Sequence, residues 1–426
     1  MNRIILIGNG FDLAHGMKTS YNNFIDDYWK TKKQEIFDDY MGKDYQDDCI
    51  FIGRVPNVRF TEPENDYESI LRSLNHTGEK IVYKNEFFSI LNKNKSSLNW
   101  VDIENDYYSL LKSCYKKPSS RYTITKLNED FATIESLLEK YLTKVQQEFS
   151  KNFPISSEHM SFKSSIYEVI YSDFNLRDFS ESSINQLTEE IFQKVYSNIK
   201  DLEDGNIDVE DLHLNERESR LYNALRRISD KKKKIKELLT SSTSLNYFRY
   251  RPSEVLFLNF NYTSTENFYN IRPTDREFGN DISTDVIHVH GILNNKTDNK
   301  IIFGFGDEID KDYLEIENLN DNEYLQNIKS MKYLESDSYK KLLEFINSNN
   351  YQVFIFGHSC GISDRTLLNT LFEHKNCNSI KPYYRQKDDG SDNYSEMIRN
   401  ISRNFTDKAS MRDKVVNKKY TNALFR

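Results

Sequence analysis

Residues 3–16 read Arg-Ile-Ile-Leu-Ile-Gly-Asn-Gly-Phe-Asp-Leu-Ala-His-Gly. The run from Arg3 to Ile7 is almost entirely isoleucine and leucine, which is typical of a strand buried on both faces of a parallel sheet. Gly8 and Gly10 then allow a sharp turn, and we expect a helix to follow. A glycine turn of this kind lets backbone N–H groups approach a pyrophosphate closely. The stretch therefore makes a nucleotide the first ligand to consider.

The glycine pattern matches only part of a dinucleotide-binding fingerprint. Leu13 stands where the third glycine belongs, and no clear second strand ends in an acidic residue at the expected distance. A dehydrogenase that transfers hydride therefore fits poorly. The alternative is that Gly8 and Gly10 only form a tight turn in a protein whose chemistry lies elsewhere.

Length and composition indicate a soluble globular protein. The 426 residues leave room for two or three hydrophobic cores. No apolar run approaches the roughly 20 residues of a membrane helix, so we expect a cytoplasmic protein without membrane association. A net charge of −8 argues against general nucleic-acid binding. The four cysteines form no Cys-x-x-Cys pair, so neither a metal site nor a disulfide framework is predicted.

A long helical region divides the chain. Apolar residues there recur at alternating spacings of four and three, beginning with Leu127, Phe131, Ile134, Leu138, Tyr141 and Val145. This periodicity predicts a helical insertion subdomain over residues 116–249. A lid or a partner-binding cap without chemistry is the expected role of this insertion.

Strand-like sequence returns at Glu254. Four short and nearly all-apolar runs predict strands of a covered parallel sheet: Val255–Phe260, Val286–His290, Ile301–Phe305 and Tyr351–Phe356. The predicted fold is α/β, with a Rossmann-like, mostly parallel sheet. Its domain is discontinuous and comprises residues 1–115 and 250–426, with a polar tail after residue 385.

Polar residues follow several of these strands: Asn259, Asn261, Tyr262 and Thr263 after one, His288 and His290 at the end of the next, and Gly357, His358 and Ser359 after a later one. Alone, each is more typical of a turn or a structural histidine. Ligands of open α/β sheets bind beyond the carboxyl ends of the strands. We therefore expect these residues to converge with the glycine turn on one crevice.

Taken together, the motifs resemble the AbiH family of bacteriophage abortive-infection proteins. The resemblance rests on residues 7–16, Trp100-x-Asp102-Ile-Glu104, residues 259–263, residues 288–291, Phe303-Gly-Phe-Gly306 and the segment from Phe356 to Asp364. It covers the two ends of the chain and not the helical middle. It implies a role in phage defence and leaves open a phage-derived trigger protein and a homo-oligomer as partners.

The same motifs, in the same order, are similar to those of the SIR2 domain, which binds NAD. This resemblance implies that Gly8 and Gly10 lie on the pyrophosphate, Asn261 on the nicotinamide ribose and His290 at the catalytic base. Gly357 and Ser359 would lie near the adenosine half. The other residues expected at this nucleotide site are Asn9, Phe11, Asp12, His15, Asn259, Tyr262, His288, His358 and Asp364. Two departures are Thr263 in place of an aspartate and Asn9 in place of an alanine.

The reaction implied is hydrolysis of NAD⁺ to nicotinamide and ADP-ribose, with NAD as substrate. The leaving group is already cationic, so the site needs only to hold the ribose, stabilise an oxocarbenium-like centre and orient water. An asparagine and a histidine suffice for this. A carboxylate of Asp12, Asp102 or Glu104 would add charge or orient His15. The absence of Cys-x-x-Cys pairs disfavours a sirtuin-type deacylase, which carries a zinc ribbon.

Two other functions stay open. Residues 357–361, Gly-His-Ser-Cys-Gly, fit the nucleophile elbow of α/β-hydrolases, which would make Ser359 a nucleophile. Only His374 follows it, with Asp364 or Glu373 as the acid, and one short predicted helix cannot bring both partners over Ser359. The other function is a nucleotide-sensing or protein-interaction switch without turnover, which the long helical insertion favours.

Overall fold

A computed structural model describes residues 1–38, 44–53, 55, 66–76, 78–95, 100–116, 121–151, 157–269, 282–294 and 300–425. Its strands are β1 (Asn2–Ile7), β2 (Tyr45–Gln46), β3 (Ile50–Ile52), β4 (Ile81–Tyr83), β5 (Glu254–Asn259), β6 (Ser283–His288), β7 (Tyr351–Phe356), β8 (Cys377–Arg385) and β9 (Ala423–Phe425). β2, β3 and β4 form a small antiparallel sheet.

The α-helices of the described residues are α1 (Asn9–Ala14), α2 (Tyr21–Asp38), α3 (Tyr67–His76), α4 (Glu86–Lys93), α5 (Trp100–Lys116), α6 (Ile124–Lys151), α7 (Ser157–Tyr171), α8 (Glu181–Asp204), α9 (Glu216–Leu225), α10 (Lys231–Thr240), α11 (Lys311–Glu317), α12 (Lys329–Lys332), α13 (Ser338–Ser348), α14 (Arg365–Glu373), α15 (Tyr394–Arg403) and α16 (Lys408–Lys414). In this part of the chain, no helix has the length and apolarity to span a membrane.

The central sheet has six strands in the order β6-β5-β1-β7-β8-β9, and every neighbouring pair is parallel. Counted along the chain within this sheet, the order is 3-2-1-4-5-6, which is that of doubly wound dinucleotide-binding folds. The predicted Rossmann-like, mostly parallel sheet is thus confirmed. The strand order reverses between β1 and β7, so a ligand crevice is expected at the carboxyl ends of these two strands.

β1 is buried on both faces because strands and helices surround it. Ile4 and Leu6 pack into one core, while Ile5 and Ile7 point to the opposite face and pack into another. Arg3 is also fully buried, and its Nη1 donates to the carbonyl oxygens of Ile170 and Ser172 at 2.7 and 2.8 Å. These contacts tie the sheet to the end of α7.

Two predictions about the sheet were wrong. The run Ile301–Phe305 is not a strand, and its only pairing in the described residues is a bridge from Phe305 to Ile328. Its aromatic rings pack on helices instead, since Phe303 stacks on Phe131 and Phe305 on Tyr108, with centroids 4.9 and 3.9 Å apart. The expected polar tail contains α15 and α16, and its β9 pairs with β8.

The helices between residues 124 and 240 pack into three different cores. α6 shares a core with α2, α3, α4 and α5, whereas α7 packs against the sheet face that carries Ile5 and Ile7. α8, α9 and α10 form a core of their own. The division of the chain at residues 116 and 249 into two domains stays a prediction.

Candidate functional site

A cleft of about 770 Å³ opens where β1, β5 and β7 end. This volume lies in the range of sites for small molecules and cofactors. Most of the predicted site residues line it: Gly8, Asn9, Gly10, Asp12, Asn261, Tyr262, His290, Gly357, His358, Ser359 and Asp364. The structure thus brings the ends of separate strands together at the point where the strand order reverses.

Gly8 and Gly10 are needed because the turn after β1 packs against the turn after β7. A Cβ on Gly8 would lie 2.4 Å from the Cα of His358, and a Cβ on Gly10 would lie 2.8 Å from the carbonyl oxygen of Gly357. Gly357 has φ of +69°, a conformation that favours glycine. The glycines therefore allow a close backbone contact between the two turns.

Three backbone N–H groups of the glycine turn have protein acceptors. Gly8 donates to the carbonyl oxygen of Phe356 at 3.1 Å, and Gly10 donates to that of Gly357 at 2.9 Å. The N–H of Phe11 donates to the carbonyl oxygen of Gly8 at 2.8 Å. A pyrophosphate at this turn would have to compete with these bonds.

The carboxylate of Asp12 holds the loop after β5. Its Oδ1 accepts a hydrogen bond from the Thr265 hydroxyl at 2.7 Å, and its Oδ2 accepts one from the Thr263 hydroxyl. Burial raises the pKa of Asp12 to about 6, against the side chains of Thr263, Thr265 and Asn261, which lower it. Thr263, where the SIR2 pattern has an aspartate, is thus itself a partner of a carboxylate.

His15 lies behind the cleft and not in its lining. Because a carbonyl oxygen only accepts, Nδ1 of His15 donates to Phe11 at 2.7 Å, and Nε2 accepts from the Tyr269 hydroxyl at 2.6 Å. Burial lowers the pKa of His15 to about 4, so its ring is neutral at pH 7. These bonds, and not the Asp12 carboxylate, orient His15. Phe11 is also buried away from the cleft.

Asn259 and His288 also lie outside the lining of the cleft. Both contact the buried Glu266: Nδ2 of Asn259 donates to Oε2 at 2.6 Å, and Nε2 of His288 lies 3.0 Å from Oε1. Oδ1 of Asn259 accepts the backbone N–H of Asn261 at 2.8 Å. Asn259 therefore positions Asn261.

The side-chain amide of Asn261 is a candidate hydrogen-bond donor for a ligand. Asn261 is 9% exposed and lines the cleft. Its buried Nδ2 makes no hydrogen bond of normal geometry among the described residues, although the side chain lies near enough to the Asp12 carboxylate to lower the pKa of Asp12. A buried donor without an acceptor costs about 1–3 kcal/mol. This amide is therefore available to an acceptor on a bound molecule.

A buried cluster of charges forms the inner end of the cleft. Nζ of Lys329, 1% exposed, lies 2.7 Å from Oε1 of Glu104 and 2.8 Å from Oδ1 of Asp364. Burial opposes the charge on Asp364, but Lys329 and His290 hold the pKa of this carboxyl well below its usual range. Burial likewise opposes the charge on Lys329, but the two carboxylates raise its pKa. Lys329 and Asp364 are therefore both ionised at neutral pH.

His290 has one nitrogen committed and one facing this cluster. Nδ1 donates to the carbonyl oxygen of Phe260 at 3.0 Å, so the lone pair of the neutral ring lies on Nε2. Nε2 is 3.1 Å from Oδ1 of Asp364 and 3.3 Å from the Tyr333 hydroxyl. Burial, aided by Lys329, lowers the pKa of His290, and Asp364 opposes this shift only in part. The ring is therefore neutral at pH 7, and its Nε2 lone pair accepts from the Tyr333 hydroxyl. When Nε2 takes up a proton, Asp364 becomes its acceptor.

His358 has the opposite tautomer. Its Nδ1 accepts the backbone N–H of Cys360 at 2.9 Å, so its proton lies on Nε2, 3.5 Å from Oδ2 of Asp364. His358 thus donates toward the far oxygen of Asp364. The two histidines flank one carboxylate. Nε2 carries the proton in His358 and the lone pair in neutral His290.

Ser359 does not form a catalytic triad in the described part of the chain. It is exposed, and its hydroxyl has no hydrogen bond to a histidine there. His374 accepts the backbone N–H of Asn376 at 3.2 Å, and Glu373 binds the backbone and hydroxyl of Thr406. Both predicted partners are thus engaged elsewhere.

Glu104 is expected to make the protein less stable as the pH rises toward 7. Burial, opposed by Lys329, raises the pKa of Glu104 from 4.5 to about 7. Between these values the folded chain keeps a proton that the unfolded chain has lost. Its contribution to stability is therefore present below pH 4.5 and is lost as the pH rises through 7, by about 3 kcal/mol.

Urea unfolding from pH 4.5 to pH 8 measures this contribution. The free energy of unfolding of the wild type, minus that of Glu104→Gln, should decrease across the range. The exposed Glu210→Gln is the control and should run parallel to the wild type. A pH-independent difference between wild type and Glu104→Gln would contradict the prediction.

The sequence pointed to the histidines and Asp364 but missed their partners. Lys329 and Tyr333 were not predicted, and neither were Arg385 and Arg403 in the cleft wall. No motif surrounds these residues, and Lys329 reaches Glu104 only through the fold. The side chain of Asp102 lies outside the described residues.

The sheet order and the cleft at its switch point define a Rossmann-like α/β protein. The family model described as "Bacteriophage abortive infection AbiH" matches residues 4–385. The chain therefore belongs to the AbiH family, which implies a role in abortive infection. No curated protein and no solved structure matches the chain, and the resemblance to the SIR2 domain is not confirmed.

Proposed function

We propose that this protein is an abortive-infection effector that hydrolyses NAD⁺ to nicotinamide and ADP-ribose in the cleft. The observation that carries the proposal is that Asn261, with its unpartnered amide, and His290, with its lone pair on Nε2, line the same cleft. The cleft lies where folds with this strand order bind dinucleotides. Loss of NAD⁺ would arrest the infected cell and so limit the phage.

The reaction needs little from the protein. The bond between C1′ of the ribose and the nicotinamide nitrogen breaks, and its electron pair leaves with neutral nicotinamide. Water adds to C1′, and the proton that it loses passes to Nε2 of His290. The protonated ring then donates from Nδ1 to Phe260 and from Nε2 to Asp364, 3.0 and 3.1 Å away. Asp364 thereby stabilises the charge that His290 acquires.

The charge of the inner end supports an oxocarbenium-like transition state. Asp364 is ionised and paired with Lys329, and Glu104, whose pKa is about 7, adds a second negative charge as it ionises. A fixed negative charge in a buried site stabilises a developing positive charge without reorganisation. The amide of Asn261 is the donor proposed for a ribose hydroxyl.

Replacement of Asn261 by alanine is expected to lower kcat/KM for NAD⁺ by about 10- to 100-fold, because a buried hydrogen bond to the ribose is lost. Chromatography of nicotinamide and ADP-ribose released by the purified protein measures this effect. Asn347→Ala is a matched control, since Asn347 is exposed and bonds only to Leu343 of its own helix among the described residues.

NAD⁺ binding, measured on the same samples, distinguishes a hydrolase from a nucleotide sensor. Release by the wild type and its loss in Asn261→Ala would support the hydrolase. NAD⁺ binding without release, also in lysate from phage-infected cells, would contradict hydrolysis and favour a nucleotide sensor. Absence of NAD⁺ binding in both settings would contradict the nucleotide site.

A further inference from the structure

We propose that Arg385 and Arg403 bind the diphosphate of an adenine nucleotide in this cleft. The inference rests on the proposed nucleotide site and does not require hydrolysis. It moves the phosphate-binding role from the glycine turn after β1 to the part of the cleft wall that is formed by the end of β8 and by α15.

The glycine turn is poorly suited to a diphosphate. The N–H groups of Gly8, Gly10 and Phe11 already donate to carbonyl oxygens. The space beside Gly8 and Gly10 is filled by residues 357 and 358, so the missing side chains leave no room for a phosphate. α1 that follows has only six residues. With these three N–H groups occupied, a diphosphate needs further donors from another part of the cleft.

The side chains with a positive charge in the described lining are Lys329, Arg385 and Arg403. Lys329 is buried between two carboxylates, which neutralise it. Arg385 and Arg403 are exposed, and neither forms an ion pair in the described part of the chain. Nη1 of Arg403 donates to the neutral Oδ1 of Asn400 at 2.6 Å. Their charge is thus available to an anion, although the carboxylate of Glu396 lies on the same wall.

α15 is fixed to the turn that carries His358. Nδ2 of Asn400 donates to the carbonyl oxygen of Ser359 at 2.9 Å, and Nδ2 of Asn404 donates to that of Cys360 at 2.8 Å. Arg403 directly precedes Asn404. These bonds hold the arginine wall in one position relative to the strand ends, so less ordering is needed when a ligand binds.

The charges of the cleft are therefore separated, with negative groups in one part and positive groups in another. Glu104 and Asp364 lie at the inner end, and the two arginines lie in the wall of β8 and α15. NAD⁺ carries a positive nicotinamide ring and a negative diphosphate, so its charges match this arrangement in one orientation. Planar guanidinium groups form paired hydrogen bonds with phosphate oxygens. The arrangement places the nicotinamide near His290 and the diphosphate on the arginines.

Calorimetry with ADP-ribose, ADP and adenosine tests the inference, since ADP-ribose cannot undergo nicotinamide release. Arg385→Gln and Arg403→Gln should each weaken ADP-ribose and ADP binding by about tenfold, and high salt should weaken wild-type binding. Adenosine, which lacks phosphate, should bind all variants equally. Arg399→Gln is the control, because Arg399 is exposed on α15 and lies outside the described lining.

Three results would overturn the inference. They are unchanged ADP-ribose binding by the double variant, which combines Arg385→Gln with Arg403→Gln, equal weakening of binding by Arg399→Gln, and absence of ADP-ribose binding to the wild type. Nicotinamide release with unchanged ADP-ribose binding by the double variant would remove the arginine site and keep the hydrolase. Arginine-dependent ADP-ribose binding without nicotinamide release would keep the arginine site and remove the hydrolase.

Discussion

Replacement of Lys329 by methionine is expected to lower the free energy of unfolding by about 3–5 kcal/mol. Methionine fills much of the volume of lysine but carries no charge. Glu104 and Asp364 would then remain buried without the ammonium group that lies 2.7 and 2.8 Å from them. One carboxylate would have to take up a proton or draw in water, and both responses cost free energy in a buried site. The midpoint of urea unfolding measures the loss.

Two further variants show whether loss of the Lys329 charge causes the loss of stability. Lys341→Met is the control, because Lys341 is exposed and, among the described residues, its ammonium group pairs only with Asp337 at the surface, where ion pairs contribute little to stability. Lys329→Met combined with Glu104→Gln removes one charge of each sign and should recover part of the lost stability. A loss below about 1 kcal/mol in Lys329→Met would show that the buried cluster contributes little.

His290→Gln should lower kcat for NAD⁺ hydrolysis by about 10²- to 10⁴-fold with little change in KM. Glutamine is polar and of similar length but cannot accept a proton from water at neutral pH. The hydrogen bond to Phe260 can be kept, so the local structure should be preserved. Rates of nicotinamide release, together with calorimetric binding of ADP-ribose, separate chemistry from binding.

The pH dependence of kcat gives a second readout. Burial and Lys329 lower the pKa of His290 from 6.5, so the wild-type rate should fall on the acidic side, where the ring becomes protonated. It should level off above pH 7, once Glu104, whose pKa is about 7, is also ionised. His374→Gln is the control, since His374 lies outside the described lining and stacks on Tyr351. A variant His290→Gln that keeps the wild-type rate would exclude this residue as the base.

The strands of the central sheet could be predicted because burial on both faces demands apolar runs. β1, β5 and β7 follow directly from such runs. The same signal failed at Phe303 and Phe305, whose partners are the rings of Phe131 and Tyr108 on distant helices. An apolar run indicates that its residues are buried, but it does not indicate which element packs against them.

The candidate site was predictable only where residues follow a strand. His290 and Asn261 come directly after strands, so their convergence follows from the parallel sheet. Lys329 has no such position, and its contacts with Glu104 and Asp364 depend on how α5, α12 and the turn after β7 meet. His15 and His288 stand in the same motifs as site residues, yet each has its own partners behind the cleft.

The pairing of β1 also has a consequence for the synthesis of this chain. β1 lies between β5 and β7, whose residues follow it by about 250 and 350 positions. At about 5–20 residues per second, the ribosome completes β5 some 12–50 s after β1. Throughout this interval, residues 4–7 form an apolar segment without either neighbour in the sheet. The nascent chain therefore depends on its own helices or on chaperones to cover this segment until the later strands emerge.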